Sequence, residues 1–329
     1  MKILISDYPD SMMPTHNLEK KILKEGLGDC EIVIYEYSDD KRNEFLDIIE
    51  DVDAILTGFI KIDKEVMDRA KNLKIVSMNA TGYDNVDLET ANEKGIGVCP
   101  VGEYCTRDVA EFTIGIIHAL VKNLKALIHD IEVNHKWRYD YAPSNVRIEE
   151  MTLGICGLGK IGTAVAKKAM SLGMKVIAID PFIDQTKGTS IGVEMLNDRE
   201  ELFKRADVVT NHMNLNESNY NYFDISAFEK MEKNPYFINM GRGVCVVEED
   251  LITALEAGYI KGAGVDVLRD ETPDLGSNAL VGKENVIVTP HAAFYTTTSV
   301  EDLQKISTKN IVHYLNGEKE KVFKLVSKN

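Results

Sequence analysis

The stretch TLGICGLGKIG, residues 152–162, decides the fold class of this 329-residue chain. A short strand-like run precedes a glycine-rich loop, and residues 163–171 after the loop have the pattern of a helix. Gly157 permits a tight turn, Gly159 lets the backbone approach a pyrophosphate, and Gly162 allows close packing of the helix on the strand. The stretch therefore predicts a dinucleotide-binding loop, although the same glycine spacing also occurs in purely structural turns.

A second apolar run, KVIAI at residues 175–179, ends at Asp180, roughly 20 residues beyond the last glycine. A carboxylate at this position accepts hydrogen bonds from ribose hydroxyls and repels the 2′-phosphate of NADP. The alternative is that Asp180 and Pro181 only form a turn. The order of strand, glycine loop, helix, strand and acid favours NAD as the cofactor.

Outward from this unit, short apolar runs alternate with amphipathic stretches along most of the chain, which predicts an α/β fold with two doubly wound parallel sheets. Candidate strands of the first sheet lie at residues 2–5, 31–37, 54–57, 75–79 and 97–99. Those of the second sheet lie at 152–156, 175–179, 208–211, 236–239, 264–267 and 286–289. Candidate helices lie at 17–25, 64–71, 163–171 and 299–315, and the apolar stretch 107–129 predicts one long connecting helix.

Charge and composition exclude several classes of function. Lys and Arg number 38 against 53 Asp and Glu, a net charge of −15 that argues against nucleic-acid and anionic membrane partners. Five cysteines without a C-x-x-C pair suit a reducing compartment, and the longest apolar stretch, 112–121, is too short to span a bilayer. We therefore expect a cytoplasmic protein with no membrane partner. The sequence has no His/Cys/Asp cluster at ligand spacing, so we expect no metal site.

Three motifs in the second half of the chain carry residues suited to acid-base chemistry on a hydroxy acid. Arg242, in NMGRG, has a planar guanidinium that can bind a carboxylate through two hydrogen bonds. His291, in TPHAAFY, is a residue type that exchanges protons near neutral pH, and Glu271, in GVDVLRDE, supplies a carboxylate to orient it. Taken singly, each has an ordinary alternative: a surface ion pair, a solvated acidic loop and a buried histidine.

The order of these motifs resembles that of the D-isomer-specific 2-hydroxyacid dehydrogenase family over essentially the whole chain. Upstream, ATGYDNVD at 80–87 is similar to the family's substrate loop, and YCTRDVAE at 104–111 to the start of its interdomain helix. Residues 104–106, 215–219 and 291–293 are most similar to the branch of the C-terminal-binding proteins. The acidic stretch around Glu271 and the pair 294–295 are similar to D-lactate and D-2-hydroxyisocaproate dehydrogenases.

The resemblance implies a Rossmann nucleotide domain, residues 101–299, inserted into a flavodoxin-like substrate domain, residues 1–100 and 300–329. It implies a homodimer in which Arg242 binds the substrate carboxylate, His291 exchanges the proton of the 2-hydroxyl group, and Glu271 orients His291. The cofactor residues that it implies are Thr106, Gly157, Gly159, Lys160, Ile161, Gly162, Asp180, Pro181, His212, Met213, Asn219, Met240, Gly241, Asp266, His291 and Ala293. The substrate residues that it implies are Asn79, Ala80, Thr81, Gly82, Tyr83, Tyr104, Arg242, Phe294 and Tyr295.

The chain departs from the family pattern at Met78, where many relatives have a basic residue that holds a second anionic group or the carboxylate. The methionine therefore predicts a 2-oxo acid with one carboxylate and an apolar or modest side chain.

Two other functions stay open at this point. The C-terminal-binding proteins use this scaffold as an NAD-dependent dimer that recruits protein partners, with little turnover. Formate, phosphite and phosphoglycerate dehydrogenases share the architecture as well. Met78 disfavours phosphoglycerate, and Glu271, in place of a glutamine beside the histidine, disfavours formate.

Overall fold

The computed structural model describes residues 1–270 and 273–328. The chain forms two compact units, Met1–Tyr104 with Thr296–Asn329, and Cys105–Tyr295. We refer to them as the first and the second unit.

Strands and α-helices are numbered in chain order over the described residues. The strands are β1 (Lys2–Asp7), β2 (Glu31–Glu36), β3 (Ala54–Thr57), β4 (Ile75–Met78), β5 (Gly97–Cys99), β6 (Thr152–Cys156), β7 (Lys175–Ile179), β8 (Glu194–Met195), β9 (Val208–Asn211), β10 (Tyr236–Asn239), β11 (Gly262–Val265) and β12 (Val286–Val288). The helices are α1 (Asn17–Leu27), α2 (Arg42–Ile48), α3 (Lys64–Arg69), α4 (Leu88–Lys94), α5 (Thr106–Val121), α6 (Leu124–Glu132), α7 (Lys160–Ser171), α8 (Gln185–Thr189), α9 (Arg199–Arg205), α10 (Ile225–Glu229), α11 (Glu248–Ala257) and α12 (Thr297–Leu315).

The sheet of the first unit has five parallel strands in the order β2-β1-β3-β4-β5. Successive side chains of a strand point to opposite faces, so β1 supplies both cores: Leu4 packs in one cluster with Phe45, and Ile3 packs in the other with Ile311 of α12. Burial on both faces explains why β1, β3 and β4 read as nearly continuous apolar runs in the sequence, whereas the edge strand β2 has no buried residue.

The sheet of the second unit has seven parallel strands in the order β12-β11-β10-β9-β6-β7-β8. The chain winds outward from β6 in one direction and then from β9 in the other, which is the Rossmann arrangement with one further strand. Ligands of such sheets bind beyond the carboxyl ends of the strands, at the point where the direction reverses. The predicted α/β class with two doubly wound parallel sheets is confirmed.

The sequence prediction of one helix over residues 107–129 is wrong, because the structure has two helices there. Helix α5 ends at Val121 and α6 begins at Leu124. Between them Asn123 adopts a left-handed backbone with φ of 52°, and its side-chain amide donates to the carbonyl of Pro143 (2.7 Å). Asparagine adopts this conformation more readily than most residues, since its short polar side chain bonds locally.

Smaller differences concern element ends. Helix α7 begins at Lys160, three residues before the predicted start, and β11 runs Gly262–Val265 rather than 264–267. The two-residue strand β8 has no counterpart among the predicted strands.

None of the five cysteines forms a disulfide within the described part of the chain. Burial raises the pKa of the Cys99 and Cys156 thiols to about 12, so both are protonated at neutral pH. Within the described part of the chain, none of the helices combines the length and apolar composition needed to cross a membrane.

Candidate active site

The glycine loop after β6 is shaped by what its residues lack. Gly157 has φ of 92°, and a Cβ atom there would lie 2.8 Å from the backbone nitrogen of Met213. A Cβ at Gly162 would lie 2.1 Å from the carbonyl oxygen of Gly157. At Gly159, by contrast, a Cβ would meet no described atom within 4 Å. The outer glycines therefore allow the loop to close on itself, while the middle one leaves open space before α7.

The open space lies at the positive end of a helix. Gly159 is the residue that precedes α7, and the first turn of this twelve-residue helix has no acidic side chain. Its leading N–H groups and the helix dipole both favour an anion. This end of α7 is suited to the pyrophosphate of a dinucleotide.

Asp180, just after β7, contacts the same loop. Its Oδ2 atom accepts a hydrogen bond from the backbone N–H of Leu158 (2.9 Å), and its Oδ1 atom accepts one from Phe182 (2.9 Å). A carboxylate has about four acceptor sites, so it retains capacity for ribose hydroxyls.

His212 follows β9 on the other side of β6, and its backbone N–H donates to the carbonyl of Cys156 (2.8 Å). The ring is buried, and neither ring nitrogen has a hydrogen-bond partner among the residues that the structure describes. Burial lowers the pKa of the imidazole to about 4, so the ring is neutral at pH 7. Buried polar atoms normally have a hydrogen-bond partner, and a cofactor bound at the glycine loop would supply one. With the space at Gly159, this shows that the residues present fit a dinucleotide.

Arg242 lies in the loop after β10, which two asparagines position. Asn239 Oδ1 accepts from Asn211 Nδ2 (2.9 Å) and from the N–H of Gly241 (3.1 Å). Asn239 Nδ2 donates to the carbonyl of Arg242 (3.0 Å), and Asn211 Oδ1 accepts from the N–H of Met213 (3.1 Å). The sequence prediction did not include Asn211 or Asn239. The available signal was that each ends an apolar strand with a polar residue.

His291 lies on a turn after β12 that Asp266 holds. The histidine has φ of 51°, and its backbone N–H donates to the carbonyl of Asp266 (2.7 Å). The buried Asp266 carboxylate accepts from Thr289 Oγ1 (2.6 Å) and the N–H of Ala292 (2.9 Å) at Oδ1, and from the N–H of Ala293 (2.9 Å) at Oδ2. Asp266 therefore fixes the chain on both sides of His291.

The Arg242 and His291 turns follow neighbouring parts of the same sheet edge. Val265 of β11 pairs with Asn239 of β10 on one side and with Val288 of β12 on the other. The backbone of residues 268–269 lies directly against Gly243, where a Cβ would come within 1.9 Å of the carbonyl oxygen of Leu268. The structure thus brings the arginine loop and the histidine turn together at this edge.

Glu271, the third predicted catalytic residue, lies outside the described residues. The chain leading to it is anchored by Arg269, whose backbone N–H donates to the Glu248 carboxylate and whose guanidinium donates to the Tyr220 hydroxyl (2.7 Å).

The other predicted cofactor residues of the second unit differ in exposure. Gly241, Met240 and Ala293 are buried, Ile161 and Met213 are half-buried, and Lys160 and Pro181 are exposed. Asn219 is buried and bonds within its own loop, with Nδ2 donating to the carbonyl of Asn214 (2.6 Å). Thr106 is the first residue of α5.

The predicted substrate residues fall in both units. In the second unit, Phe294 packs edge-on to His291, with ring centroids 6.2 Å apart, and Tyr295 is exposed. In the first unit, residues 79–83 follow β4, and the N–H of Asn79 donates to the carbonyl of Thr57 (2.8 Å). Asn79 Oδ1 is buried without a hydrogen-bond partner among the described atoms. Tyr104 is half-buried at the end of the first segment of that unit.

In residues 1–270 and 273–328, no three His, Cys, Asp or Glu side chains are grouped so that they could hold a metal ion.

Comparisons with known proteins identify the family. Residues 114–293 match the NAD binding domain of the D-isomer specific 2-hydroxyacid dehydrogenases. The chain is 33% identical over 295 residues to a glyoxylate reductase of Thermofilum pendens, covering 88% of this chain and 86% of that protein. It is 32% identical over 319 residues to a D-3-phosphoglycerate dehydrogenase of Methanocaldococcus jannaschii, covering 97% of this chain but only 58% of that protein.

Structural similarity agrees with the sequence. The D-lactate dehydrogenase of Aquifex aeolicus, solved with NAD and lactic acid, has a TM-score of 0.85 and 26% identity over 99% of both chains. The C-terminal-binding protein 1 of Caenorhabditis elegans is 31% identical over 275 residues, 82% of this chain and 38% of that protein. The chain belongs to the D-isomer specific 2-hydroxyacid dehydrogenase family and is an NAD-dependent oxidoreductase that acts on a CH–OH group.

Proposed function

We propose that the protein reduces a small 2-oxo monocarboxylate to the corresponding D-2-hydroxy acid with NADH. The observation that carries this proposal is the sheet edge where Arg242 and His291 follow the two neighbours of β11, with Asp266 fixing the histidine turn. A guanidinium and an imidazole are the groups needed to bind a carboxylate and to protonate a carbonyl oxygen.

Each residue then has a distinct role. Arg242 binds the substrate carboxylate and polarises the 2-oxo group, and His291 donates a proton to the carbonyl oxygen. The bound cofactor supplies the hydride that the carbonyl carbon accepts. Glu271, by the family resemblance, orients His291, and the loop at 79–83 lines the substrate. The first unit is accordingly the substrate domain and the second the nucleotide domain.

Met78 and two of the relatives support the proposed substrate class. Met78 is fully buried at the end of β4, so this position offers no cation to a second anionic group. Glyoxylate is named for one similar protein and lactic acid for another. Both are small acids with a single carboxylate. Turnover of 3-phosphohydroxypyruvate or 2-oxoglutarate well above that of apolar 2-oxo acids would contradict this assignment.

We include in the proposal a cytoplasmic homodimer without nucleic-acid or membrane partners. The segment at residues 133–147 supports the dimer, because Trp137 is 92% and Tyr139 is 95% exposed. A second copy would remove these rings from water. Sedimentation equilibrium of the wild type and of a Trp137→Ser, Tyr139→Ser double variant tests this. The net charge of −15 and the lack of disulfides among the described residues support the remaining points.

The first experiment is NADH oxidation, followed by absorbance, against glyoxylate, pyruvate, hydroxypyruvate, 2-oxoisocaproate, phenylpyruvate, oxaloacetate and 2-oxoglutarate. Removal of the proton donor in His291→Ala should lower kcat by about 10²- to 10⁴-fold. His313→Asn is the matched control, since His313 lies on α12 and pairs with Glu318 (2.9 Å). The control should retain wild-type turnover.

The scaffold function of the C-terminal-binding proteins is the second candidate, favoured by the similarity to the Caenorhabditis elegans protein. NADH binding, measured by fluorescence, without turnover of any 2-oxo acid would replace the enzyme proposal by this one.

A further inference from the structure

The first unit has a buried carboxylate to which the proposed reaction assigns no role. Asp7 is the last residue of β1 and is 4% exposed. Its Oδ2 atom accepts from the N–H of Gly58 (2.5 Å), and its Oδ1 atom accepts from the N–H groups of Tyr8 (3.1 Å) and Phe59 (3.2 Å). One carboxylate thus holds the turn that follows β3, and we call residues 58–60 the β3 turn.

The carbonyl side of the β3 turn is held from another direction. Asn85 Nδ2 donates to the carbonyls of Gly58 (3.2 Å) and Ile60 (2.8 Å). Asn85 lies two residues after Tyr83, at the end of the loop that the proposed function assigns to the substrate. A Cβ at Gly58 would lie 3.5 Å from the carbonyl oxygen of Asn79, so the turn also approaches the start of that loop.

We propose that Asp7 is a positioning residue for the substrate loop at residues 79–83. Its carboxylate fixes the N–H groups of the β3 turn. The turn, once fixed, holds the loop through its hydrogen bonds with Asn85 and through its close approach to Asn79. This inference rests on the proposed function, because it assumes that the loop contacts the 2-oxo acid.

The energetics of Asp7 favour a functional rather than a structural role. Burial raises the pKa of Asp7 to about 6, even though three backbone N–H groups lower it. The ionised carboxylate is therefore less favourable in the fold than in water, and it lowers stability at neutral pH. The titratable groups beside it are Tyr8, which is next in the chain and bonds to Asp39, and Glu36, its cross-strand neighbour on β2. A group that is present only to stabilise the sheet would show the opposite effect.

The test is Asp7→Asn, an uncharged residue of the same size. An amide cannot accept on both atoms, so the β3 turn loosens. We expect KM for the best 2-oxo acid to rise about tenfold with kcat changed by less than about twofold, the loss of roughly one buried hydrogen bond. Amide hydrogen exchange in residues 58–62 and 79–85 should quicken, while Tm at pH 8 stays equal or rises.

The matched control is Asp53→Asn in the same sheet. Asp53 also accepts a hydrogen bond from a backbone N–H, that of Lys2 (2.9 Å). This bond lies at the amino ends of the strands, before β3 begins. Its pKa is lowered, chiefly by its bonds to Lys74 and Lys2 against the effect of burial, so this carboxylate stabilises the fold. Asp53→Asn should lower Tm and leave KM unchanged.

Asn85→Ala removes the hydrogen bonds to the carbonyl side of the β3 turn. This variant tests the inference if Asp7→Asn does not fold. A lower Tm with unchanged KM and exchange in either variant overturns the inference in favour of a structural role. If the wild type turns over no 2-oxo acid, the proposed function fails by itself. Amide hydrogen exchange of residues 79–85 in the two variants then still tests whether Asp7 and Asn85 hold the loop. Unchanged exchange overturns the inference.

Discussion

The glycine loop of the second unit and the β3 turn of the first unit occupy equivalent places, each beyond the carboxyl end of a parallel strand. The glycine loop takes its shape from missing side chains, and the three glycines that lack them lie together within residues 157–162. The β3 turn takes its shape from a carboxylate and an amide, supplied from 51 residues before Gly58 and from 27 residues after it. The loop of a ligand site can therefore be shaped by closely spaced glycines or by hydrogen bonds from residues distant in the chain. Only the first produces a contiguous motif in the sequence.

The largest effect that we expect comes from adding a methyl group at a closely packed glycine of the glycine loop. In Gly162→Ala the new Cβ lies 2.1 Å from the carbonyl oxygen of Gly157, so the backbone must move. We expect the free energy of unfolding to fall by about 3 kcal/mol. NADH affinity should fall by about 100-fold or more, because the phosphate cradle is displaced. Chemical denaturation and fluorescence titration with NADH measure the two effects.

Gly159→Ala is the control for this variant, because its Cβ meets no described atom. Its free energy of unfolding should change by less than about 1 kcal/mol, the helix-terminal preference of glycine over alanine. NADH affinity should still fall about tenfold, since the methyl group takes space intended for phosphate. Unchanged NADH affinity in Gly159→Ala would show that the open space is not the phosphate site.

The turn held by hydrogen bonds should respond to pH instead. The pKa of Asp7 in the fold is about 6 against an ordinary 3.8, so ionisation costs the folded state. The contribution of Asp7 to the free energy of unfolding therefore falls as the pH rises from about 4 to about 6, by at most about 3 kcal/mol, and is constant above. Urea denaturation from pH 4 to pH 8 should show this slope in the wild type relative to Asp7→Asn. Parallel curves would contradict it.

A smaller effect sharpens the comparison, because the second unit also contains a turn held by a carboxylate. Asp266→Asn removes acceptors from the chain around His291 and should lower kcat/KM about 100-fold through misplacement of the imidazole. NADH affinity should change by less than about threefold. Asp274→Asn is the control, since the bonds of the Asp274 carboxylate to described residues, such as that from the N–H of Gly276 (3.0 Å), lie within its own exposed turn. Equal loss of NADH binding in Asp266→Asn would instead support the cofactor role that the family resemblance implies for Asp266.

The sequence predicted the glycine loop and most strands because their signals are local. Strands β6, β7, β9 and β10 have the predicted bounds, since each is a short apolar run that a glycine or a polar residue terminates. The single helix over 107–129 was wrong, because helical periodicity does not show a left-handed residue such as Asn123. Asp7, Asn211 and Asn239 escaped prediction because a polar residue at the end of a strand does not reveal what it binds. The Asp7–Gly58 and Asn211–Asn239 hydrogen bonds also join residues that are distant in the chain.

The discontinuous first unit has a consequence for synthesis on the ribosome. Its second core face is completed by Ile311, Val312 and Tyr314 of α12, which pack with strand residues such as Ile3 and Ile75. Those strand residues are synthesised early, and Leu23 of α1 packs in the same cluster, but the contribution of α12 is missing until the whole of Cys105–Tyr295 has been translated. The second unit, continuous in sequence, has all its strands available earlier and is able to fold while the first is incomplete. The nascent chain is therefore able to complete its second unit before its first. In that interval the apolar surface that α12 later covers is of the kind that makes partly folded chains prone to aggregation.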